Sequence, residues 1–195
     1  LGTRLGEITT SGYSLLTPPQ SKQELIHIYA DPSEIGRVYH PTLAIVAQPG
    51  PVIKQLRDMA ISRAGGLWLS SAHEAYKIWQ QPEETPGALK MEQVITHLNN
   101  VLPDDAILTN GAGNYSAWLH RYYRYRNWRT QLAPTSGSMG YGLPAAIAAK
   151  LQSPDKEVVC LAGDGCFQMV SQEFGTACDQ GLAVIVIIAD NGMYG

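Results

Sequence analysis

Two uninterrupted apolar runs near the end of the chain constrain its fold more than any other feature. They occupy residues 158–162 and 183–189. Runs without polar alternation are typical of strands that are buried on both faces, as in a parallel sheet. The span between them suits one crossover helix, which we predict around residues 170–180. We therefore predict an α/β fold, with parallel sheets flanked by helices and right-handed crossovers.

Each of these runs ends at a side chain that carries an oxygen ligand. Gly163-Asp164-Gly165 closes the first run, Asn191 closes the second, and 25 residues separate Gly165 from Asn191. Ligands of parallel sheets bind beyond the carboxyl ends of the strands. Carboxylate and amide oxygens suit Mg²⁺, and glycine amides at a helix start suit phosphate. Either motif alone could equally be a turn, but the pair favours a metal and phosphate site.

The remaining pattern alternates between strands and helices. We predict strands at 25–31, 43–47 and 106–110, and helices at 52–64, 72–81, 91–102 and 114–124, with one more that begins at Gly142. Residues 81–87 mix prolines and acids with nothing to bury. We predict a linker at 82–87 between a first domain at 1–81 and a second at 88–195.

Composition and cysteine usage indicate a cytoplasmic globular protein. The net charge is -3, 45% of residues are hydrophobic, and no stretch reaches the ~18 apolar residues that a membrane span requires. The three cysteines suit a reducing cytosol. We expect Cys160 and Cys178 to be small buried side chains, and Cys166 to meet a ligand through its backbone. The chain lacks an initiator Met and a signal pattern, so we expect a part of a longer protein.

A basic and aromatic segment at residues 121–129 offers a competing interpretation. It interleaves four arginines with tyrosines and a tryptophan, as proteins that bind single-stranded nucleic acid do. The acidic net charge and the lack of a recognised RNA module favour a helix end and loop packed within the protein. We therefore predict no nucleic-acid partner.

The two strand-end motifs resemble the diphosphate and metal motif of thiamine-diphosphate-dependent enzymes. The match consists of residues 163–165 and 191–195 at this spacing. The family usually has two adjacent Asn residues where this chain has Asp190-Asn191, and the second of them is the metal ligand. Residues 136–146 are similar to the segment that precedes the motif in acetolactate synthases and benzoylformate decarboxylases.

Two further segments extend the resemblance. Residues 111–115 align with the second diphosphate contact of the family, whereas a dinucleotide fingerprint fails because Ser116 stands at its third glycine position. Asn114 and Tyr115 would donate hydrogen bonds to phosphate or cap the helix that they begin. Residues 1 to about 60 resemble the latter half of the Rossmann-like middle domain, where some relatives hold FAD or an adenine nucleotide. The sequence does not decide between a nucleotide-binding and a nucleotide-free domain.

The resemblance implies thiamine diphosphate and Mg²⁺ as cofactors. The implied cofactor-binding residues are Asn114, Tyr115, Met139, Gly163, Asp164, Gly165, Cys166, Asn191 and Met193. The side chains of Asp164 and Asn191 and the backbone carbonyl of Met193 would bind the metal, and Met139 would wedge between the two rings of the cofactor. The activating Glu of the family lies in an N-terminal domain of the partner subunit, outside this chain, so no catalytic residue is assigned.

The implied activity is decarboxylation or carboligation of a 2-oxo acid, as in acetolactate synthases. The resemblance also implies a homodimer or homotetramer with the site at the subunit interface. Two alternatives stay open: a decarboxylase of 2-oxo acids or acyl-CoA substrates that performs no ligation, and a non-catalytic regulatory protein that binds thiamine diphosphate.

Overall fold

A computed structural model of the chain describes residues 1–59 and 66–193. Its contacts divide the chain into two units, Leu1–Gly66 and Leu67–Gly195. Residues 67–81, which we assigned to the first domain, are grouped with the second unit. The linker predicted at 82–87 stays a prediction.

The first unit contains a small parallel sheet. Strand β1 (Ile26–Tyr29) pairs with β2 (Leu43–Val46), and helix α1 (Pro49–Asp58) follows. The helix begins three residues earlier than predicted, because prolines are accepted in a first helical turn. Its predicted extension beyond residue 59 lies outside the described residues.

The second unit alternates helices and strands, as predicted. Its elements are α2 (Gly66–Trp79), α3 (Met91–Val101), β3 (Ile107–Asn110), α4 (Ser116–Tyr122), β4 (Gln131–Leu132), α5 (Gly142–Gln152), β5 (Val158–Gly163), α6 (Asp164–Gln168), α7 (Gln172–Asp179) and β6 (Ile185–Ala189). The four strands form a parallel sheet in the order β4-β3-β5-β6. The predicted α/β class with parallel sheets is confirmed.

Strand β5 forms the centre of the core, with all six residues buried. Because side chains alternate across a strand, Val158 and Cys160 join a cluster with α5 and α7, whereas Val159 and Leu161 join one with α3 and α4. Each fully buried Val or Leu contributes about 1.5–3 kcal/mol through the hydrophobic effect. This packing fixes the strand whose end carries Asp164.

Strand β6 is less buried than its sequence predicted. Ile185 and Ile188 are 47% and 45% exposed, so the expectation of burial on both faces is wrong. Within the described residues β6 pairs only with β5, at the edge of the sheet. An apolar run shows that a strand is compatible with burial, but the neighbouring elements decide whether burial occurs.

Three other expectations differ from the structure. The crossover helix predicted around residues 170–180 is present as α7, but it is not the single helix of the crossover, because the short helix α6 precedes it with a break at residues 169–171. Cys178 is exposed rather than buried, since its neighbour Ala177 occupies the packed face of α7. Strand β4 was not predicted, because two residues show no periodicity. No helix in the described part of the chain is long and apolar enough to span a bilayer.

Candidate functional site

The carboxyl ends of three strands converge at one edge of the second unit. Asn110 pairs with Leu161 across β3 and β5, and Gly163 pairs with Ala189 across β5 and β6. The loops that follow these strands therefore start side by side. They surround a cavity of roughly 800 Å³.

All nine site residues named from the sequence line this cavity. They are Asn114, Tyr115, Met139, Gly163, Asp164, Gly165, Cys166, Asn191 and Met193. The cavity has further lining residues outside this set, which are Leu89, Met91, Val94, Ala112, Gly113, Trp118, Ile187, Ile188, Ala189 and Asp190. Most of these are apolar, and the signal for some was topological. Because α3 leads into β3, its first residues lie near the edge where the strands end.

Asp164 is available to a ligand in this cavity. It is the first residue of α6, directly after the buried β5. Among the described residues, its carboxylate has neither a hydrogen-bond partner nor an ion-pair partner. An unpaired carboxylate at the wall of a cavity suits a cation.

Two side chains shape the loop that follows β6. The backbone N–H of Gly192 donates to Asp190 Oδ1 at 2.8 Å, and that of Met193 donates to Asn191 Oδ1 at 2.9 Å. Gly192 has φ +66°, a conformation that glycine adopts without strain. An amide oxygen has two lone pairs, so Asn191 Oδ1 retains one for a cation.

The loop at residues 111–115 is joined to the start of α6. Tyr115 Oη donates to Cys166 Sγ at 3.4 Å, and Cys166 Sγ donates to the carbonyl of Ala112 at 3.0 Å. Within the described residues no side-chain hydrogen bond of Asn114 or Tyr115 caps α4, so the capping alternative is wrong. The phosphate alternative stays a prediction for both.

Burial controls the ionisation of Tyr115 in the cavity wall and of Cys160 in the buried strand β5. Desolvation, followed by the hydrogen bond to Cys166, raises the pKa of Tyr115 well above its ordinary value. The hydroxyl therefore stays protonated and keeps its role as a donor. Burial raises the pKa of the Cys160 thiol to about 11, which is consistent with the predicted packing role of that residue.

Met139 stands on a turn between two glycines. Gly137 and Gly140 have φ +68° and +78°, which favours glycine at both positions. A β-carbon at Gly140 would also lie 3.0 Å from Val170 Cγ1. The glycines thus hold the Met139 segment at the wall of the cavity, where the sequence placed it.

A tight contact supports the site from behind. Thr109 Oγ1 donates to the carbonyl of Gly142 at 2.7 Å. A β-carbon at Gly142 would lie 2.9 Å from the backbone nitrogen of Gly111. The start of α5 and the end of β3 therefore pack backbone against backbone, which fixes the origin of the 111–115 loop.

The basic and aromatic segment makes contacts within its own unit. Arg121 donates to the carbonyl of Trp79 at 2.7 Å, forms an ion pair with Glu83, and lies 5.0 Å from the centre of the Trp79 ring. Arg126 contacts the carbonyl of Asn99 and lies 3.3 Å from Asp104. These contacts favour the packing interpretation over nucleic-acid binding.

The donor set fits a hard divalent cation. One carboxylate, one amide oxygen and one backbone carbonyl are oxygen ligands of the kind that Mg²⁺ accepts when phosphate and water complete the shell. Across residues 1–59 and 66–193, no cluster of three or more His, Cys, Asp or Glu side chains forms a metal site. Magnesium thus stays a prediction.

Comparison with known families matches both units. The model described as the C-terminal TPP-binding domain of thiamine pyrophosphate enzymes matches residues 111–195, and the model of their central domain matches residues 1–56. The two matches together cover well over half of the chain.

Individual relatives agree with these matches. An acetolactate synthase of Mycobacterium bovis is 33% identical over 100% of this chain and 32% of its own length. The acetolactate synthase large subunit of Corynebacterium glutamicum is 32% identical with the same coverage. The chain thus spans about a third of the length of these relatives.

A solved structure shares the fold. The thiamine diphosphate-dependent 4-hydroxybenzoylformate decarboxylase of Rhodococcus jostii matches with a TM-score of 0.65 and 27% identity, over 88% of this chain and 32% of that one. The predicted resemblance is therefore confirmed. The chain belongs to the thiamine-diphosphate-dependent enzymes and carries parts of their central and cofactor-binding domains.

Proposed function

We propose that the protein is a thiamine-diphosphate- and Mg²⁺-dependent enzyme that decarboxylates a 2-oxo acid and ligates the product, as acetolactate synthases do. One observation carries the proposal: nine residues from three strand-end loops and the Met139 turn line a single cavity. The similarity to acetolactate synthases over the whole chain supports the same activity.

Each group of residues has its own task in this proposal. Asp164, the Asn191 side chain and the Met193 carbonyl would hold the metal. Asn114 and the backbone of residues 163–166 would bind the diphosphate, and Met139 would support the rings. When bound, thiamine diphosphate supplies a nucleophilic thiazolium carbon and an acceptor for the electrons released with CO₂.

The apolar part of the lining has a separate effect. Side chains such as Met139, Trp118 and Ile188 make much of the cavity wall apolar. In a site with little water, the attraction between a diphosphate, a metal ion and the Asp164 carboxylate is stronger than in bulk solvent. The chain thus provides both the ligands and the low-dielectric surroundings that a charged cofactor requires.

The remaining expectations belong to the same proposal. We propose a 2-oxo acid substrate, a cytoplasmic location, and a homodimer or homotetramer in which the partner subunit supplies the activating Glu. In the first unit, a cavity of roughly 600 Å³ is lined in part by Arg4, Tyr29 and Arg37. The absorbance spectrum of the purified protein will show whether FAD is present.

A direct test combines cofactor binding with product analysis. The protein is incubated with thiamine diphosphate, Mg²⁺ and pyruvate, and acetolactate and CO₂ are measured. Asp164→Ala should abolish Mg²⁺-dependent cofactor binding, because the only carboxylate in the proposed ligand set is lost. Asp179→Ala is the matched control, since Asp179 is exposed at the end of α7 and does not line the cavity. Unchanged binding by Asp164→Ala would refute the metal assignment.

A second candidate is decarboxylation without ligation. The structural similarity to a 4-hydroxybenzoylformate decarboxylase favours it. Incubation with benzoylformate or 4-hydroxybenzoylformate separates the two candidates. Release of the aldehyde with no acetolactate from pyruvate would replace the first proposal by the second.

A further inference from the structure

The contact between Tyr115 and Cys166 joins the two glycine-rich loops of the cavity. Tyr115 belongs to the loop after β3, and Cys166 to the short helix α6 that begins directly after β5. Cys166 Sγ accepts from the Tyr115 hydroxyl at 3.4 Å and donates to the carbonyl of Ala112 at 3.0 Å. One thiol thus bonds twice to the other loop.

Three glycines receive the Tyr115 side chain. An added β-carbon would lie 2.7 Å from Tyr115 Cε1 at Gly113, 2.9 Å from the same atom at Gly163, and 2.8 Å from the hydroxyl at Gly111. Real β-carbons do not approach other atoms so closely. The side of Gly163 that lacks a β-carbon, where we expected phosphate to approach, is therefore occupied by the Tyr115 ring in this structure.

The environment keeps this contact intact. Cys166 is 3% exposed, and Tyr115 is partly buried. The raised pKa of Tyr115 keeps its hydroxyl protonated and able to donate. The Cys166 thiol both accepts and donates a hydrogen bond. The Tyr115–Cys166 contact therefore fixes the distance between the 111–115 loop and the start of α6.

We infer that Tyr115 and Cys166 are positioning residues, which set the affinity for the cofactor by fixing the spacing of the two loops that bind its diphosphate. This inference rests on the proposed function. It gives Tyr115 a task other than direct phosphate contact. The backbone amides and Asn114 meet the anion, while Tyr115 and Cys166 hold those groups in place.

The test measures the dissociation constant of thiamine diphosphate at saturating Mg²⁺ in the whole protein, together with the melting temperature. Tyr115→Phe keeps the ring on the glycines and removes only the hydroxyl. A single hydrogen bond is worth about 0.5–1.5 kcal/mol, so we expect a dissociation constant about 2- to 12-fold higher. Cys166→Ala removes both bonds and should weaken binding by at least as much.

Two further variants separate positioning from general stability. Cys166→Ser retains a donor and an acceptor, so it should restore most of the affinity that Cys166→Ala loses. In the double variant, Tyr115→Phe should add nothing to Cys166→Ala, because the bond is already absent. The KM for the 2-oxo acid should stay unchanged in all of them.

Matched controls exist in the same unit. Tyr125→Phe removes a buried hydroxyl that has no hydrogen-bond partner among the described residues, and Tyr125 does not line the cavity. Cys178→Ala removes an exposed thiol away from the cavity. Both should bind the cofactor as the unaltered protein does.

The possible results point to different conclusions. If the unaltered protein binds thiamine diphosphate and Tyr115→Phe binds it equally well, the positioning role is wrong and the proposed function stands. Additive losses in the double variant, or a lowered melting temperature without a change in affinity, also overturn the inference. If the unaltered protein does not bind the cofactor, the proposed function fails and the inference fails with it.

Discussion

The two units differ in how far each buries its sheet. In the second unit, β3 and β5 are buried along their whole length, and helices cover both faces. In the first, β2 has no fully buried residue, and Leu43 and Val46 are 49% and 57% exposed. The same parallel pairing thus occurs with and without an extensive core. Apolar runs predict strands in both units, but among the described residues whole strands are buried in the second unit and not in the first.

The largest expected effect comes from truncating one leucine in the sheet of each unit. Leu161, 2% exposed on β5, and Leu43, on β2, are the same residue type in the two sheets. Leu161→Ala should lower the free energy of unfolding by about 2–5 kcal/mol, because it leaves a cavity in a packed core. Leu43→Ala should change it by only about 0.5 kcal/mol. Denaturant unfolding of both variants checks this, and equal losses would refute the contrast.

A second pair of variants compares glycines. Gly142→Ala places a β-carbon 2.9 Å from the Gly111 nitrogen and 3.0 Å from the carbonyl carbon of Asn110. Neither backbone atom can move freely, so we expect a loss of about 1–3 kcal/mol. Gly50→Ala in α1 meets nothing within 4 Å and serves as the control in the first unit. A stable Gly142→Ala protein with intact cofactor binding would contradict the close approach that we describe.

A third prediction uses the most buried carboxylate of the second unit. Glu92 accepts hydrogen bonds from Thr85 and from Trp118 Nε1, and Trp118 lines the cavity. The bond from Thr85 is the main cause that lowers the pKa of Glu92 below its ordinary 4.5. Because folding lowers the pKa of Glu92, the ionised carboxylate stabilises the folded protein above pH 4.5. This stabilisation is lost as the pH falls through the pKa that Glu92 has in the folded protein.

The measurement is the pH dependence of stability in Glu92→Gln. At neutral pH the substitution should cost about 1–2 kcal/mol, because a hydrogen bond to a charged group is replaced by a neutral one. The difference from the unaltered protein should shrink as the solution is acidified below pH 4.5. The exposed Glu74 on α2 offers a control substitution of the same kind, Glu74→Gln. A constant difference at all pH values would rule out the ionised hydrogen bond.

The smallest predicted effect has the opposite sign. Gly175 lies inside α7, and a β-carbon there would meet nothing within 4 Å. Gly175→Ala should therefore stabilise the second unit by about 0.5–1 kcal/mol, through the lower entropy of the unfolded chain. Thermal unfolding will show this as a modest rise in the melting temperature. A loss of stability would indicate that the outer face of α7 is packed more tightly than the structure shows.

Sequence reasoning succeeded where the signal was local. The runs that became β5 and β6 predicted strands, and the motifs at their ends placed Asp164 and Asn191 at the cavity, whereas the family resemblance implied the other site residues that line it. It failed where burial depends on distant partners. The exposure of Cys178 depends on which face of α7 packs, and the place of Trp118 in the cavity depends on how α4 lies against the sheet. The Tyr115–Cys166 contact joins residues 51 positions apart, and no periodic pattern in the sequence predicts a contact at that separation.

The pairing of Gly163 with Ala189 has an electrostatic consequence. Asp164 and Asp190 each follow one member of this pair, on strands about 4.8 Å apart. Two acids at such neighbouring positions lie within one Debye length, about 8 Å at physiological ionic strength. We expect a cation bound in the proposed site to offset repulsion between these two carboxylates. Added salt should therefore stabilise the cation-free protein, and a bound divalent ion should remove much of that salt dependence.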